Sequence, residues 1–303
     1  MSGLSAQAAL PAKSRRARLR DQYRWRWKPA LRRRIYGGWG VLARSLSALM
    51  PAPLRLALRE LPSPTRPLDY RAERLCLVTD SWVEYDKRAR SCAKEPETVA
   101  WMEGHVRPGE TVYDIGANVG AYSLILGRRV GPAGRVYAFE PSFANFAQLS
   151  RNVLLNGLSG QVMPLHLALA DHTAVGRLHY SSLAPGAALH GLHQDTATTT
   201  ASLAVLAISL DELVARFQLD RPHHIKLDVD GIEHAILLGG RRVLAHPGLR
   251  TILVESEAGR PGSDDIASLL AEVGFELEAE HVHNANPLHP GPYVKNCLYR
   301  RLR

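Results

Sequence analysis

Cysteine is scarce and long apolar runs are missing. The three cysteines, Cys76, Cys92 and Cys297, form no C-x-x-C pair and no metal-ligand spacing. A disulfide framework or structural zinc site is therefore not expected, and a reducing compartment suits the set. There is no run of 18 apolar residues, and the N-terminus lacks the apolar core of a secretory signal, so the expected location is cytoplasmic. Acidic residues are nearly absent from residues 1–60, where only Asp21 and Glu60 face fourteen Lys/Arg, a balance of +12. The net charge of +9 then leaves the rest of the chain with 24 bases against 27 acids, or −3. A body so close to neutral offers no broad polyanion groove, and specific nucleic-acid binding is not expected.

At 303 residues and 46% hydrophobic content, the chain has material for one full catalytic core plus an extension. The organising stretch is Thr111–Pro141, TVYDIGANVGAYSLILGRRVGPAGRVYAFEP. It reads as a strand, a tight turn of small residues, a helix through Tyr122, Leu124, Ile125 and Leu126, and a second strand ending on Glu140. Gly116 and Gly120 are expected to let a ligand lie against the backbone at a helix start, where free N–H groups favour an anion. A strand-terminal carboxylate can accept hydrogen bonds from both hydroxyls of a ribose. The dinucleotide fingerprint G-x-G-x-x-G is lacking, since the loop reads G-x-N-x-G and has no third glycine. A nucleoside cofactor other than a dinucleotide is the better reading.

A second motif is His224-Ile-Lys-Leu-Asp-Val-Asp-Gly-Ile-Glu233. Alternation predicts a strand carrying Lys226, Asp228 and Asp230 on one face, broken at Gly231 into a helix. Burying three charges on a central strand is costly without partners, and strand ends are where open α/β sheets keep their ligands.

The D-x-G-A-N-x-G loop, the strand ending F-E-P with its acid 26 residues after Asp114, and this I-K-x-D-x-D-G-x-E segment together resemble the S-adenosylmethionine-dependent methyltransferases of the FkbM family. The resemblance covers roughly residues 95–277, with Asp230 standing where the family usually has glutamate. It implies a Rossmann-like class I methyltransferase fold: α/β, with a seven-stranded, mostly parallel sheet closed by a C-terminal antiparallel hairpin. It implies O-methylation of a hydroxyl on a sugar, glycolipid or polyketide-type metabolite. By the same carry-over, Asp114, Gly116, Ala117, Asn118 and Gly120 form the cofactor loop, Glu140 holds the ribose, and Asp171 lies near the adenine. Asp171 could equally cap a local turn. Asp228 and Asp230 are the candidate bases, with Lys226 and Glu233 beside them. Lys226 would serve as a base only with a strongly lowered pKa. A divalent cation on Asp228, Asp230 and Glu233 is an open alternative but not the favoured one. A salt-bridged scaffold for the Gly231 turn is another. An NAD-dependent oxidoreductase and a non-catalytic binding protein of the same fold are the other function classes.

Elsewhere the chain is expected to divide into a basic Arg/Trp-rich extension (1–60), a proline-dense linker (61–69) and the methyltransferase domain (70–303). In the extension Tyr23, Trp27, Leu31, Ile35 and Trp39 recur every four residues among arginines. That pattern suits an anionic membrane surface or an acidic partner, a solvated tail, or an organellar transit peptide. Residues 74–85 suggest one or two strands, 97–105 a helix, and 143–155 a helix stopped at Asn156-Gly157. Val162–Leu167 reads as a strand, and 181–200, with His190 and His193, as an irregular loop shaping an acceptor pocket. Ser209–Glu212 is a capping box. Leu249–Glu255 is a strand, Ser263-Asp264-Asp265 a helix start, and 275–282 with 293–300 a hairpin, with His281 and His283 alternating along it.

Overall fold

The computed structural model describes residues 46, 49–188, 191–192, 199–257, 265–283 and 294–302. His190, His193 and the helix start at 263–264 lie outside them. Two units are present, Met1–Pro62 and Ser63–Arg303. Of the first, the helix Ala52–Arg59 follows Pro51 and is exposed throughout, with Leu54 and Leu58 one turn apart and Arg55 and Arg59 likewise. None of the described helices is long and apolar enough to cross a membrane.

The second unit contains strands β1 (Thr65–Pro67), β2 (Cys76–Val78), β3 (Thr111–Ile115), β4 (Arg135–Phe139), β5 (Val162–Leu165), β6 (Ala168–Ala170), β7 (Ala174–Tyr180), β8 (Ala201–Ser209), β9 (His224–Leu227), β10 (Thr251–Glu257), β11 (Phe275–His283) and β12 (Val294–Arg301). Seven of them form one sheet in the order β11-β12-β10-β9-β3-β4-β5. β10, β9, β3, β4 and β5 are mutually parallel, while β12 runs antiparallel between β10 and β11. This is the expected fold class, hairpin included. Every residue of β3 and β9 is buried, as a central parallel strand covered on both faces requires.

Chain order turns round at β3. β4 and β5 extend the sheet on one side, and β9 and β10 on the other. Such a switch point leaves a crevice at the carboxyl ends of the strands. Two apolar clusters fill the two faces: one holds Leu124, Leu126, Trp101 and Met102, the other Tyr113, Phe139, Leu227 and Ile252. Below the crevice, His224 Nδ1 meets Thr251 Oγ1 at 2.7 Å, Trp101 Nε1 donates to the same oxygen at 2.9 Å, and His224 Nε2 meets Glu110 Oε2 at 3.0 Å.

Three departures from the sequence reading have local causes. Thr65–Pro67 is not linker but the short edge strand β1, paired antiparallel with β2. Proline is tolerated on such an edge, where its missing N–H need not serve a ladder. After β2 the chain forms no second strand: Ser81 opens the helix Trp82–Asp86 with a capping box, its hydroxyl accepting from Glu84 N at 3.1 Å while Glu84 Oε2 accepts from Ser81 N at 2.8 Å. The third departure is a separate sheet, β6-β8-β7, whose strands β7 and β8 flank the stretch read as loop. The helices Pro96–His105 and Phe143–Leu155, the Gly157 stop and the Ser209 cap lie where expected.

Asn152 ties the first strands to the glycine turn. Its Oδ1 accepts from Val78 N at 2.7 Å and its Nδ2 donates to Val119 O at 2.8 Å, all buried. Asn152→Ala should leave both backbone groups unpaired and cost about 2–4 kcal/mol, read by chemical denaturation. Asn152→Asp should be nearly as harmful, because it keeps only the acceptor.

Candidate active site

A cavity of about 280 Å³ opens at the switch point. The turn after β3 forms its floor, held by both neighbouring strands: Gly116 N and Ala117 N donate to Phe139 O at 3.0 and 2.9 Å, and Asp228 N donates to Ile115 O at 3.0 Å. Gly116 has φ +85° and Gly120 φ +86°. A Cβ at Gly116 would lie 1.9 Å from the Asp228 carbonyl oxygen, and one at Gly120 would lie 2.5 Å from Leu149 Cδ1. The glycines therefore answer to the approach of the second motif and of the helix Phe143–Leu155. They are needed before any ligand is considered.

Of the cofactor residues expected from the sequence, Gly116, Asn118 and Glu140 line the cavity, while Asp114, Ala117, Gly120 and Asp171 do not. Asp114 is sealed beneath the floor, where it accepts from Ser123 Oγ at 2.5 Å and lies 3.9 Å from Lys226 Nζ. Burial pushes its carboxyl up, against the pull of Lys226 and Ser123. Ala117 and Gly120 are buried in the turn itself. Ala168 and Leu169 reach the cavity, but the Asp171 side chain is half-exposed and pairs with His172 at 2.6 Å.

Glu140 is buried. Its Oε2 accepts from Asn118 N at 2.7 Å and its Oε1 from Ser142 N at 2.9 Å. Burial raises its carboxyl to about 7, against those hydrogen bonds. Each oxygen keeps a second lone pair for a further donor.

The second motif is shorter as a strand than its alternation suggested. β9 stops at Leu227, because Asp228 turns to meet the backbone of Ile115 and Gly231 takes φ +100°. Asp228 and Asp230 line the cavity beyond it, whereas Glu233 folds back, its Oε1 accepting from Gly231 N at 3.1 Å. Burial raises Glu233 to about 7. Lys226 is buried with its Nζ 2.7 Å from Asp228 Oδ2 and 5.1 Å from the Tyr122 ring centroid. Burial alone would lower its pKa, but Asp228 and Asp114 more than reverse this and hold it raised. The ammonium persists, which removes Lys226 as a base. Asp228 in turn is held below the ordinary range: burial opposes this, and Lys226, Lys94 and Arg88 prevail.

Two acids come in from outside the motifs. Glu95, just before the helix Pro96–His105, and Glu255, near the end of β10, each place an oxygen within 4.8 Å of Asp228 and of one another. This trio, and not Asp228, Asp230 and Glu233, the set held open as an alternative, is the one whose oxygens converge. Two of its acids already carry ammonium partners, Lys94 on Glu95 at 2.5 Å and Lys226 on Asp228. Glu255 had a legible signal as an acid ending a strand next to the motif strand. Glu95 had none. The hairpin histidine His283 is held away from the cavity by Glu97 at 2.5 Å.

The parallel sheet, the glycine turn at its switch point and the strand-terminal Glu140 define a class I methyltransferase. The chain belongs to the FkbM family, whose methyltransferase FkbM domain matches residues 114–277. Among its relatives, the hexuronic acid methyltransferase AglP of Haloferax volcanii is 28% identical over 196 residues, covering 65% of this chain and 76% of that protein. The 31-O-demethyl-FK506 methyltransferase FkbM of Streptomyces tacrolimicus is 25% identical over 225 residues, covering 65% and 82%. Among solved structures, the precorrin-6y C5,15-methyltransferase of Geobacter metallireducens GS-15 aligns with TM-score 0.41 and 12% identity, over 68% of this chain and 86% of that one. The chain is thus a methyltransferase, and the oxidoreductase and non-catalytic alternatives are set aside.

The raised carboxyl of Glu140 has a consequence for stability. Its native pKa of about 7 lies above the ordinary 4.5, so the native state holds a proton that the unfolded chain has lost. That contribution is full below pH 4.5 and is lost as pH rises through 7. Its span is up to about 3 kcal/mol, at ~1.4 kcal/mol per pH unit. Denaturation of the unliganded enzyme between pH 4.5 and 8 should show the decline, and Glu140→Gln should flatten it.

Proposed function

We propose that this enzyme transfers the methyl group of S-adenosylmethionine to a hydroxyl of a sugar, glycolipid or polyketide-type metabolite. The observation carrying this reading is that one cavity at the glycine turn is lined both by Glu140 with apolar side chains and by a cluster of acids. Glu140 and Asn118 offer polar groups to a lining that also holds Phe139, Leu167, Leu169 and Ile236. That combination suits a ribose diol and a flat base. The same lining carries the clustered acids Glu95, Asp228 and Glu255, with Asp230 also on the wall, a set fitting a cationic donor and an acceptor that must lose a proton.

By this reading Gly116, Asn118 and Glu140 hold the cofactor, which supplies a methyl group already activated on sulfur. The protein's work is then to align the acceptor oxygen, exclude water and receive the proton. The acceptors for which the two relatives are named, a hexuronic acid and 31-O-demethyl-FK506, support a small-molecule or glycan acceptor here. The reading requires no metal, although a hard cation at the acids would serve the same end by acidifying the hydroxyl.

S-adenosylmethionine or its demethylated product should raise the thermal midpoint, whereas NAD and NADP should not. At a hundredfold excess over the dissociation constant the stabilisation is ~2.7 kcal/mol. Glu140→Ala should weaken that binding about tenfold to a hundredfold or more, through loss of charged-acceptor bonds worth roughly 1.5–3 kcal/mol each. Methyl-labelled cofactor offered with hexuronic acid glycosides, 31-O-demethyl-FK506 and cell extracts should label one acceptor fraction. A midpoint shift with NAD alone would overturn the reading.

The basic extension is read as a contact for an anionic membrane surface or acidic partner, making the enzyme peripheral. Its +12 balance and the exposed Leu54, Leu56 and Leu58 beside Arg55 and Arg59 support this. Deleting residues 1–60 should leave cofactor binding unchanged and abolish sedimentation with anionic vesicles, an effect that high salt should mimic. Vesicle binding that survives the deletion would place the contact elsewhere.

A further inference from the structure

The acids of the cavity are not equivalent. Glu140 spends both oxygens on backbone N–H groups, Asp228 is paired with Lys226 at 2.7 Å, and Glu95 accepts from Lys94 at 2.5 Å and from Tyr122 OH at 2.9 Å. Glu255 is different. Val254 lies level with Leu227, the last residue of β9, in the parallel pairing of β10 with β9, and the carboxylate oxygens of the two residues that follow, Glu255 and Asp228, lie within 4.8 Å of one another. Glu255 is half-buried and lines the cavity, and among the described residues its side chain has no hydrogen-bond or ion-pair partner.

We propose that Glu255 is the catalytic base, the group that takes the acceptor's hydroxyl proton as the methyl group is transferred, with Asp228 and Glu95 supplying the negative field that makes it basic. The assignment rests on the hydroxyl-methylation reading above. In this step the acceptor oxygen forms a bond to the methyl carbon as the carbon–sulfur bond breaks. That bond's electron pair stays on sulfur, and the proton from oxygen ends on the Glu255 carboxylate. One positive and one negative charge are consumed together, so the half-buried site gains no net charge.

Like-charge neighbours decide which acid accepts the proton. An ammonium at 2.7 Å stabilises the ionised form of Asp228, which makes it a weak acceptor. Glu255 feels burial first, then Asp228 and Glu95, all raising its pKa; Lys94 and Lys226 oppose them, and the balance stands at about 8. Protonating Glu255 relieves that repulsion, and a base titrating so near neutral pH combines availability with strength. Acid and base are thus separated by their surroundings, Asp228 kept ionised and Glu255 left free to cycle.

The test needs one readout that does not depend on turnover. Calorimetric titrations at pH 8 in two buffers of different ionisation enthalpy count protons exchanged on binding. S-adenosylmethionine, with its positive sulfur, should release a larger fraction of a proton than S-adenosylhomocysteine, and Glu255→Gln should erase the difference while binding the latter within about threefold of wild type. With any acceptor labelled in the panel above, log(kcat/KM) of the wild type should rise with unit slope to about pH 8. Glu255→Gln should lose both that slope and about 10²–10⁴ of the rate. Unchanged proton release in Glu255→Gln, or near-normal turnover with the slope intact, would overturn the assignment. So would a rate abolished by EDTA and restored by Mg²⁺, which would hand the same acids to a cation. If neither sulfur ligand binds the wild type, the methylation reading itself fails, and that result is distinct from failure of the base assignment.

Discussion

An ammonium buried in the middle of a parallel sheet is the constraint on which the rest of the site depends. Lys226 lies on β9 with almost no exposure to water, and an isolated charge there would be prohibitive. Its compensation comes from three directions: Asp228 from the turn after its own strand, Asp114 from β3, and the face of Tyr122 from the helix that follows the glycine turn. Truncating one partner of such a group typically costs about 3–5 kcal/mol, far more than the pair contributes against an apolar substitute. The two motifs, more than a hundred residues apart in the chain, are therefore one electrostatic unit.

That unit explains the backbone around it. Bringing Asp228 to Lys226 brings its carbonyl against the turn, where only a glycine at 116 leaves room. The turn is tied on its other side to Phe139 and, through Asn118 N, to Glu140. Asn118 also reaches outward, its Nδ2 donating to Ala187 O at 2.9 Å, while Asn145 Oδ1 accepts from Gly186 N at 2.8 Å and Arg88 Nε donates to Gly186 O at 2.8 Å. The stretch after β7, low in complexity and read as an irregular loop shaping an acceptor pocket, is held at Gly186 and Ala187 by three side chains from three different elements.

What was legible in the sequence was local. The glycine turn, the strand acids and the terminal hairpin declare themselves within a few residues, because period-2 runs, φ-permissive glycines and caps act at short range. The S-x-x-E pattern at Ser81–Glu84 was equally local and would have identified the helix that was expected as strand. β7 and β8 were harder, since their alternation is weak: Val175, Leu203 and Leu206 are exposed, while Ala207 and Leu178 are buried. Long-range facts could not be read at all. Nothing near Glu95 indicates that it meets Asp228 and Glu255, and nothing in a glycine letter says whether it makes way for a ligand or for another strand. Asp114 illustrates the same limit. A strand-terminal acid before a glycine turn looks like a ligand group, and here it is a buried counter-ion.

The same long-range assembly separates acids that are identical in composition. Four glutamates, at 95, 140, 233 and 255, lie in or beside one site, and their surroundings assign them different work. Glu95 is bound to an ammonium and a phenol, Glu140 and Glu233 to backbone N–H groups. The raised pKa values of Glu140, Glu233 and Glu255 mean that these three groups contribute less to the stability of the unliganded fold near neutral pH than in mild acid. A scaffold selected only for stability would replace such groups with apolar ones of similar volume. Their placement around a crevice, on strand ends and turns fixed by a buried lysine, follows if the site must hold hydroxyl groups and accept a proton.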